Sequence, residues 1–196
     1  MGLVDSLTTT QTRVNDGLPK TLVEVISSYG HRWFKIKIGG EIDADLDRLR
    51  AIASVLDGAL DEYEVSLDGN EQFSHVDEIV KLWRRMDEIP ALRRFADAVS
   101  FIEQPIARSA ALDRNIAPLA VLRPEIIDES DNGFDTFPLA DDLGYAGVSS
   151  KQCKGVYKSI VNAARCAGWN AAGGRYFVSG EDLTCQARLC VQQAWP

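Results

Sequence analysis

The stretch Trp33-Phe34-Lys35-Ile36-Lys37-Ile38 is followed, after Gly39-Gly40, by a helical pattern over Asp43–Leu60. From Phe34 onward apolar and charged residues alternate, which predicts a strand: Lys35 and Lys37 project to one side, Ile36 and Ile38 to the other. The helix that follows sets Leu46, Leu49, Ile52, Ala53 and Leu56 on one stripe. Asp43, Asp45 and Asp47 stand near its start, where the helix dipole favours acids. Strand followed by helix is the unit of a parallel sheet, and it recurs. Further strands are predicted at Val65–Asp68, Val99–Glu103, Glu125–Asp128, Gly147–Lys151 and Tyr176–Ser179, with helices at Pro19–Tyr29, His75–Met86 and Lys154–Ala167.

Six such repeats suit either a doubly wound sheet or a closed barrel. The strand ends favour the barrel, in which catalytic groups from several strands face one mouth. Nearly every predicted strand ends in a charged residue: Lys35 and Lys37, Asp68, Glu103, Asp128, Lys151, and Glu181 just beyond the sixth. A doubly wound sheet more often concentrates its chemistry in a glycine-rich first turn. No G-x-G-x-x-G or Walker-type loop is present, and Gly39-Gly40 and Gly173-Gly174 read as turns. The expected fold class is therefore α/β, with a barrel favoured over a doubly wound sheet. Residues 1–18 form an irregular segment in which Val4–Thr10 is a candidate first strand, and residues 19–196 form the barrel domain.

Composition sets outer bounds. With 45% hydrophobic and 26% charged residues, the 196-residue chain is of ordinary globular type. Its net charge of −8 and scattered Lys and Arg exclude the electrostatic footprint of a nucleic-acid binder. No signal-peptide pattern and no run of about 18 apolar residues occurs, so a cytoplasmic protein away from membranes is expected. Cys153, Cys166, Cys185 and Cys190 form no C-x-x-C pair and lie far in sequence from His31 and His75, which argues against zinc and for buried small apolar residues.

The chemistry resides at the strand ends. Two ammonium groups on one interior face repel, which lowers the pKa of at least one and suits it to act as a base. A solvated lysine pair on an edge strand is the plainer alternative. Asp68 in Leu67-Asp68-Gly69-Asn70, Glu103 in Phe101-Ile102-Glu103-Gln104-Pro105 and Asp128 in Ile126-Ile127-Asp128-Glu129-Ser130 each follow an apolar strand. Any one of them alone reads as a cap or turn residue. Three converging on one mouth repel strongly, and a bound cation resolves the repulsion. Oxygen ligands without His or Cys favour Mg²⁺ or Mn²⁺. Asn70 is in phase with Asp68 as a substrate contact, and Glu129 is the rival of Asp128, since a one-residue slip exchanges them. Lys151 sits on a later strand, so that Lys37 and Lys151 flank one substrate carbon from opposite sides; Lys154 and Lys158 read as solvated.

Taken in order, K-x-K, D-G-N, E-Q-P, D-E-S and a strand-end lysine resemble the enolase superfamily, within it the mandelate racemase–muconate lactonizing enzyme group with its muconate-cycloisomerase-like and dipeptide-epimerase-like members. The likeness runs from about Pro19 to the C-terminus and implies an incomplete (β/α)₈ barrel, from about the first or second strand to the seventh. It implies Asp68, Glu103 and Asp128 as Mg²⁺ ligands and Lys37 and Lys151 as the acid/base pair. It further implies Lys35 as the residue that tunes Lys37 and stabilises developing negative charge, and Glu181 as a substrate-positioning residue. The implied reaction is Mg²⁺-dependent abstraction of a proton α to a carboxylate, serving a racemase, epimerase, cycloisomerase or dehydratase; the substrate is a small carboxylate. Neither His31 nor His75 matches the histidine base of some relatives.

Two departures stand out: an additional short helix over Glu88–Ala96, and the expected absence of the family's N-terminal capping domain and eighth strand. The second raises two alternatives, an inactive remnant that keeps the fold and the metal, and a homo-oligomer or complementing chain that supplies the rest. A Schiff-base aldolase using Lys151 is a third reading that leaves the three acids unexplained.

Overall fold

The computed structural model describes residues 1–9 and 16–180. In chain order the elements are α1 (Leu22–Tyr29), β1 (Trp33–Lys37), α2 (Ile42–Ala59), β2 (Glu64–Asp68), α3 (Val76–Asp87), a 3-10 turn (Pro90–Leu92), α4 (Arg93–Asp97) and β3 (Val99–Glu103). There follow α5 (Arg108–Ala111), α6 (Ala117–Ala120), β4 (Glu125–Ile127), α7 (Thr136–Asp142), β5 (Gly147–Ser150), a second 3-10 turn (Gln152–Lys154), α8 (Val156–Ala171) and β6 (Phe177–Gly180). The six strands form one parallel sheet in sequence order, β1 to β6, each neighbour joined through helical crossovers. This is the incomplete (β/α)₈ barrel that the family resemblance implies, built from the strand–helix alternation read in the sequence.

The side chains divide as the alternation requires. Phe34 and Ile36 of β1, Val65 and Leu67 of β2 and Ile102 of β3 are buried in the core cluster, which the α2 stripe Leu46, Leu49, Ile52, Ala53 and Leu56 joins. Each such aliphatic side chain withdrawn from water contributes about 1.5–3 kcal/mol. The opposite faces of the strands form the inner wall of the barrel. Gly147 is needed at the start of β5, because a Cβ there would lie 2.6 Å from the carbonyl oxygen of Phe177 on β6.

Several local expectations change. α1 begins at Leu22, not at Pro19, because the Thr21 side chain caps it by accepting a hydrogen bond from the Glu24 N–H (3.2 Å). Asp45 does more than complement a dipole: its carboxylate accepts from the N–H groups of Gly39 (2.7 Å) and Gly40 (2.9 Å) and so fixes the turn that leaves β1. The helix expected over Glu88–Ala96 appears as the first 3-10 turn and α4.

The first-strand expectation at Val4–Thr10 fails over its described part, Val4–Thr9, which is turn, bend and irregular backbone. The backbone of Met1 nonetheless flanks β1, donating to the Lys35 carbonyl and accepting from the Lys37 N–H (3.0 Å). Arg48 of α2 holds this segment by its Gly2 (2.9 Å) and Asp5 (2.8 Å) carbonyls. Cys166 is buried as expected, whereas Cys153 is exposed; Cys185 and Cys190 lie outside the described residues. Among the described residues no helix is long and apolar enough to cross a membrane.

Candidate active site

Register brings the chemistry to one level. Lys37 pairs with Asp68 across β1 and β2, and Asp68 with Glu103 across β2 and β3, so three charged side chains form a row at the C-terminal edge of the sheet. Glu103 is level with Ile126 on β4, which sets Asp128 one inward-facing position higher. Lys151 follows β5 directly. Five successive strands thus deliver Lys37, Asp68, Glu103, Asp128 and Lys151 to the same mouth, with Lys35 one step deeper on the inner face.

The acids are buried and the ammonium groups sit among them. Lys35 Nζ lies 2.9 Å from Asp68 Oδ2 and 2.8 Å from Glu103 Oε2, bridging two strands. Lys37 Nζ donates to the same Asp68 oxygen at 2.5 Å. The repulsion expected between the two lysines is therefore answered by a shared carboxylate. Across the mouth, Lys151 Nζ donates to Asp128 Oδ2 at 2.5 Å. The side chain of Lys35 keeps 26% of its surface exposed, against 1% for Asp68 and 2% for Glu103, but its Nζ is buried with the two carboxylates.

Burial pushes the Glu103 carboxyl up to about 7, and the nearby charges of Asp68 and Asp128 add to the effect while Lys35 opposes it. Burial acts on Asp128 in the same sense, but hydrogen bonds from Lys151 and Lys154 outweigh it and hold this carboxyl below its ordinary range.

The loops that carry the acids are cross-tied. Asp68 Oδ1 accepts from the Asn70 N–H (3.0 Å), closing a tight turn in which Asn70 and Glu71 take left-handed backbone angles (φ 39° and 67°). Gly69 stands where a Cβ would come within 2.5 Å of Pro105 Cα, so D-G-N and E-Q-P pack directly on one another. Gln104, also left-handed (φ 33°), is fully buried. It donates to the Ile106 carbonyl and to Ser130 Oγ (both 2.8 Å), and accepts from the N–H groups of Asp128 (2.8 Å) and Ser130 (3.2 Å). This one side chain locates Asp128 relative to Glu103.

Glu129 is separated from Asp128 by its partner: its Oε1 accepts from Asn70 Nδ2 (3.0 Å), which holds it on the rim while Asp128 faces the lysines. Lys154 and Lys158 are not solvated. Lys154 donates to Asp128 Oδ1 (2.7 Å) and to the carbonyls of Asp128 (2.6 Å) and Ser149 (3.0 Å). Lys158, 7% exposed, lies 3.0 Å from Asp131 Oδ2 and donates to the Asp131 carbonyl (2.6 Å). Sequence reasoning missed Gln104, Asp131, Lys154 and Lys158. A signal existed for Lys158, which is in phase with Asn162 and Cys166 on the buried face of α8. Glu181 lies outside the described residues.

The donor set suits a hard cation. Asp68, Glu103 and Asp128 offer carboxylate oxygens, and Glu103 Oε1 is buried without a hydrogen-bond partner among the described residues. The acids are not gathered about one point, for no group of three metal-binding side chains occurs among the described residues. Ammonium groups stand between them, so the residues fit a cation once those groups move aside.

Residues 18–172 match the family described as enolase C-terminal domain-like. A mandelate racemase/muconate lactonizing enzyme from Roseiflexus sp. superposes with a TM-score of 0.63 at 23% identity, over 83% of this chain and 44% of that one. A muconate cycloisomerase from Pseudomonas fluorescens gives 0.57 at 26% identity, over 80% and 40%. A muconate lactonizing enzyme from Pseudomonas fluorescens, complexed with muconolactone, gives 0.55 at 27% identity, over 76% and 37%. The chain spans about two fifths of the length of the structures it matches. No curated protein sequence matches it.

Proposed function

Because the chain belongs to the enolase C-terminal domain-like family, we propose that its mouth serves abstraction of a proton α to a carboxylate, in a racemase, epimerase, cycloisomerase or dehydratase reaction assisted by Mg²⁺ or Mn²⁺. The observation that carries this reading is the arrangement of lysines on either side of the acids: Lys35 and Lys37 reach them from β1, and Lys151 from the end of β5.

The residues divide the work. Asp68, Glu103 and Asp128 would hold the cation. When bound, it supplies Lewis-acid stabilisation of the negative charge that develops on the substrate carboxylate. Lys37 and Lys151 approach a substrate carbon from opposite sides, one taking the α-proton and the other delivering or holding a proton at the far face. Lys35 adds cationic charge beneath that carbon, and such preorganised charge in a partly dehydrated mouth lowers the barrier by several kcal/mol. Asn70 and Glu129, hydrogen-bonded to one another on the rim, would position substrate. Glu181 is proposed for the same role from its place in the sequence.

Solvent-deuterium exchange into a panel of small α-substituted carboxylic acids, with Mg²⁺ present, tests the reading by NMR. Exchange lost in Lys37→Ala or Lys151→Ala supports it. No exchange in the wild-type chain, while a full-length family member exchanges the same panel, favours instead an inactive remnant that retains the fold.

A further inference from the structure

An ammonium group has three N–H donors. On Lys154 all three have acceptors: Asp128 Oδ1 at 2.7 Å, the Asp128 carbonyl at 2.6 Å and the Ser149 carbonyl at 3.0 Å. Its backbone N–H donates to the Lys151 carbonyl (2.9 Å), so the same residue closes the turn that leaves β5. With its three ammonium donors used, Lys154 has none left for a substrate, and what it sets is the orientation of Asp128. That carboxylate is divided between two lysines, Oδ1 going to Lys154 and Oδ2 to Lys151. Held at three points, Lys154 keeps Oδ1, and the oxygen that Lys151 touches is the one left for the mouth. Asp68 is divided in a similar way: its Oδ1 accepts from the Asn70 N–H (3.0 Å) of its own turn, and its Oδ2 meets Lys35 and Lys37.

We propose that Lys154 is a positioning residue that makes Asp128 a one-oxygen ligand, so that the mouth favours Mg²⁺ or Mn²⁺ over the larger Ca²⁺. That role rests on the metal-assisted reading above and specifies which carboxylate oxygens the site offers. Mg²⁺ is small and demands near-ideal order around it, whereas Ca²⁺ takes more oxygens in a looser arrangement, often both from one carboxylate. Two aspartates that each have one oxygen bound to a fixed N–H do not supply those extra oxygens. The tie on Asp68 is made by backbone. The tie on Asp128 is made by a side chain, which a substitution removes.

Competition between Mn²⁺ and Ca²⁺ for the 196-residue chain, free Mn²⁺ being followed by electron paramagnetic resonance, tests this without reference to catalysis. Loss of a positive charge strengthens binding of both ions alike, because they carry the same charge, so the ratio of their affinities reports ligand geometry. Wild type should prefer Mn²⁺, and Lys154→Met should move the ratio about tenfold toward Ca²⁺. Lys37→Met removes an equal charge beside Asp68 but leaves both ties in place, and its ratio should stay that of wild type. Should Lys154→Met not fold, the wild-type chain decides. With its aspartate carboxylates labelled with ¹³C, infrared difference spectra of the Mn²⁺-loaded against the chelated chain should contain only the carboxylate stretches of single-oxygen coordination. A wild-type preference for Ca²⁺, an unshifted ratio in folded Lys154→Met, an equal shift in Lys37→Met, or a two-oxygen aspartate band in Mn²⁺-loaded wild type overturns the role of Lys154 while leaving the cation site standing. Absence of Mn²⁺ binding in wild type and every variant overturns the metal-assisted reading, and the role of Lys154 with it.

Discussion

Gln104→Ala is the substitution from which the mouth should suffer most without loss of any charge. The side chain is fully buried and makes four hydrogen bonds, two donated and two accepted. Truncation leaves the Asp128 and Ser130 N–H groups and the Ile106 carbonyl without this partner in a dry site. Each such group costs about 1–3 kcal/mol, moderated where water enters the space released. The left-handed angle at Gln104 is strained for alanine as it is for glutamine, so no relief offsets the loss. We expect a destabilisation of about 3–5 kcal/mol, at the upper end for one residue. Urea unfolding followed by circular dichroism measures it, and hydrogen exchange at Asp128 N–H should lose protection. Gln104→Glu should not restore stability at neutral pH: a carboxylate still accepts from both N–H groups, but it cannot donate to Ile106 and adds a buried negative charge beside Glu103 and Asp128. A cost below about 1 kcal/mol for Gln104→Ala, with Asp128 still protected, would refute the bracket assigned to this side chain.

Two further substitutions probe buried charge. Glu125 is fully buried at the start of β4, with neither carboxylate oxygen hydrogen-bonded among the described residues, and burial raises its carboxyl well above the ordinary range. A raised native value means that its contribution to stability is fully present below the unfolded carboxylate pKa and is lost as pH rises toward the native one. Glu125→Met should therefore add about 1–3 kcal/mol at pH 8 and less at pH 4; an equal gain at both, by urea unfolding, contradicts this. Asp131 and Lys158 form a buried pair, so Lys158→Met alone should cost about 3–5 kcal/mol, while Lys158→Met with Asp131→Leu should recover most of that. Additive losses in this double-mutant cycle would mean that the two side chains act independently.

The strands and the acids were legible because each strand is a short apolar run and each acid ends one. Val99–Glu103 was placed to the residue, and the other five strands within one residue at each end, since a core-facing alternation leaves little freedom. Asp68, Glu103 and Asp128 could be named because three successive strands each end in an acid, although any one of them alone reads as a cap or turn residue. The ties between loops were not legible. Gln104 looks in sequence like any turn residue, and only the approach of β4 to β3 gives its amide four partners. On α8 the ordinary reading inverts: Lys158 and Asn162 are buried, whereas Val156, Tyr157 and Ile160 are exposed. Lys154 and Lys158 were expected to be solvated from their place at the start of a helix, and Asp131, whose loop position carries no periodic signal, reversed that for Lys158. The first strand failed for a different reason. Val4–Thr9 lies beside β1 but is held by Arg48 and the start of α1, not by a ladder of strand hydrogen bonds.

The serial contacts of the rim have a mechanical consequence. Gly69 is seated on Pro105, the preceding residue Gln104 gauges Asp128, and Lys154 ties Asp128 to the end of β5. Each working group is thus referenced to its immediate neighbour and not to a distant common frame. In an assembly dimensioned this way, error in the placement of a helix on the outer layer does not accumulate at the mouth. The outer layer can therefore vary in length, as in the connection between α3 and β3 that holds the 3-10 turn and α4, without altering the spacing of the acids.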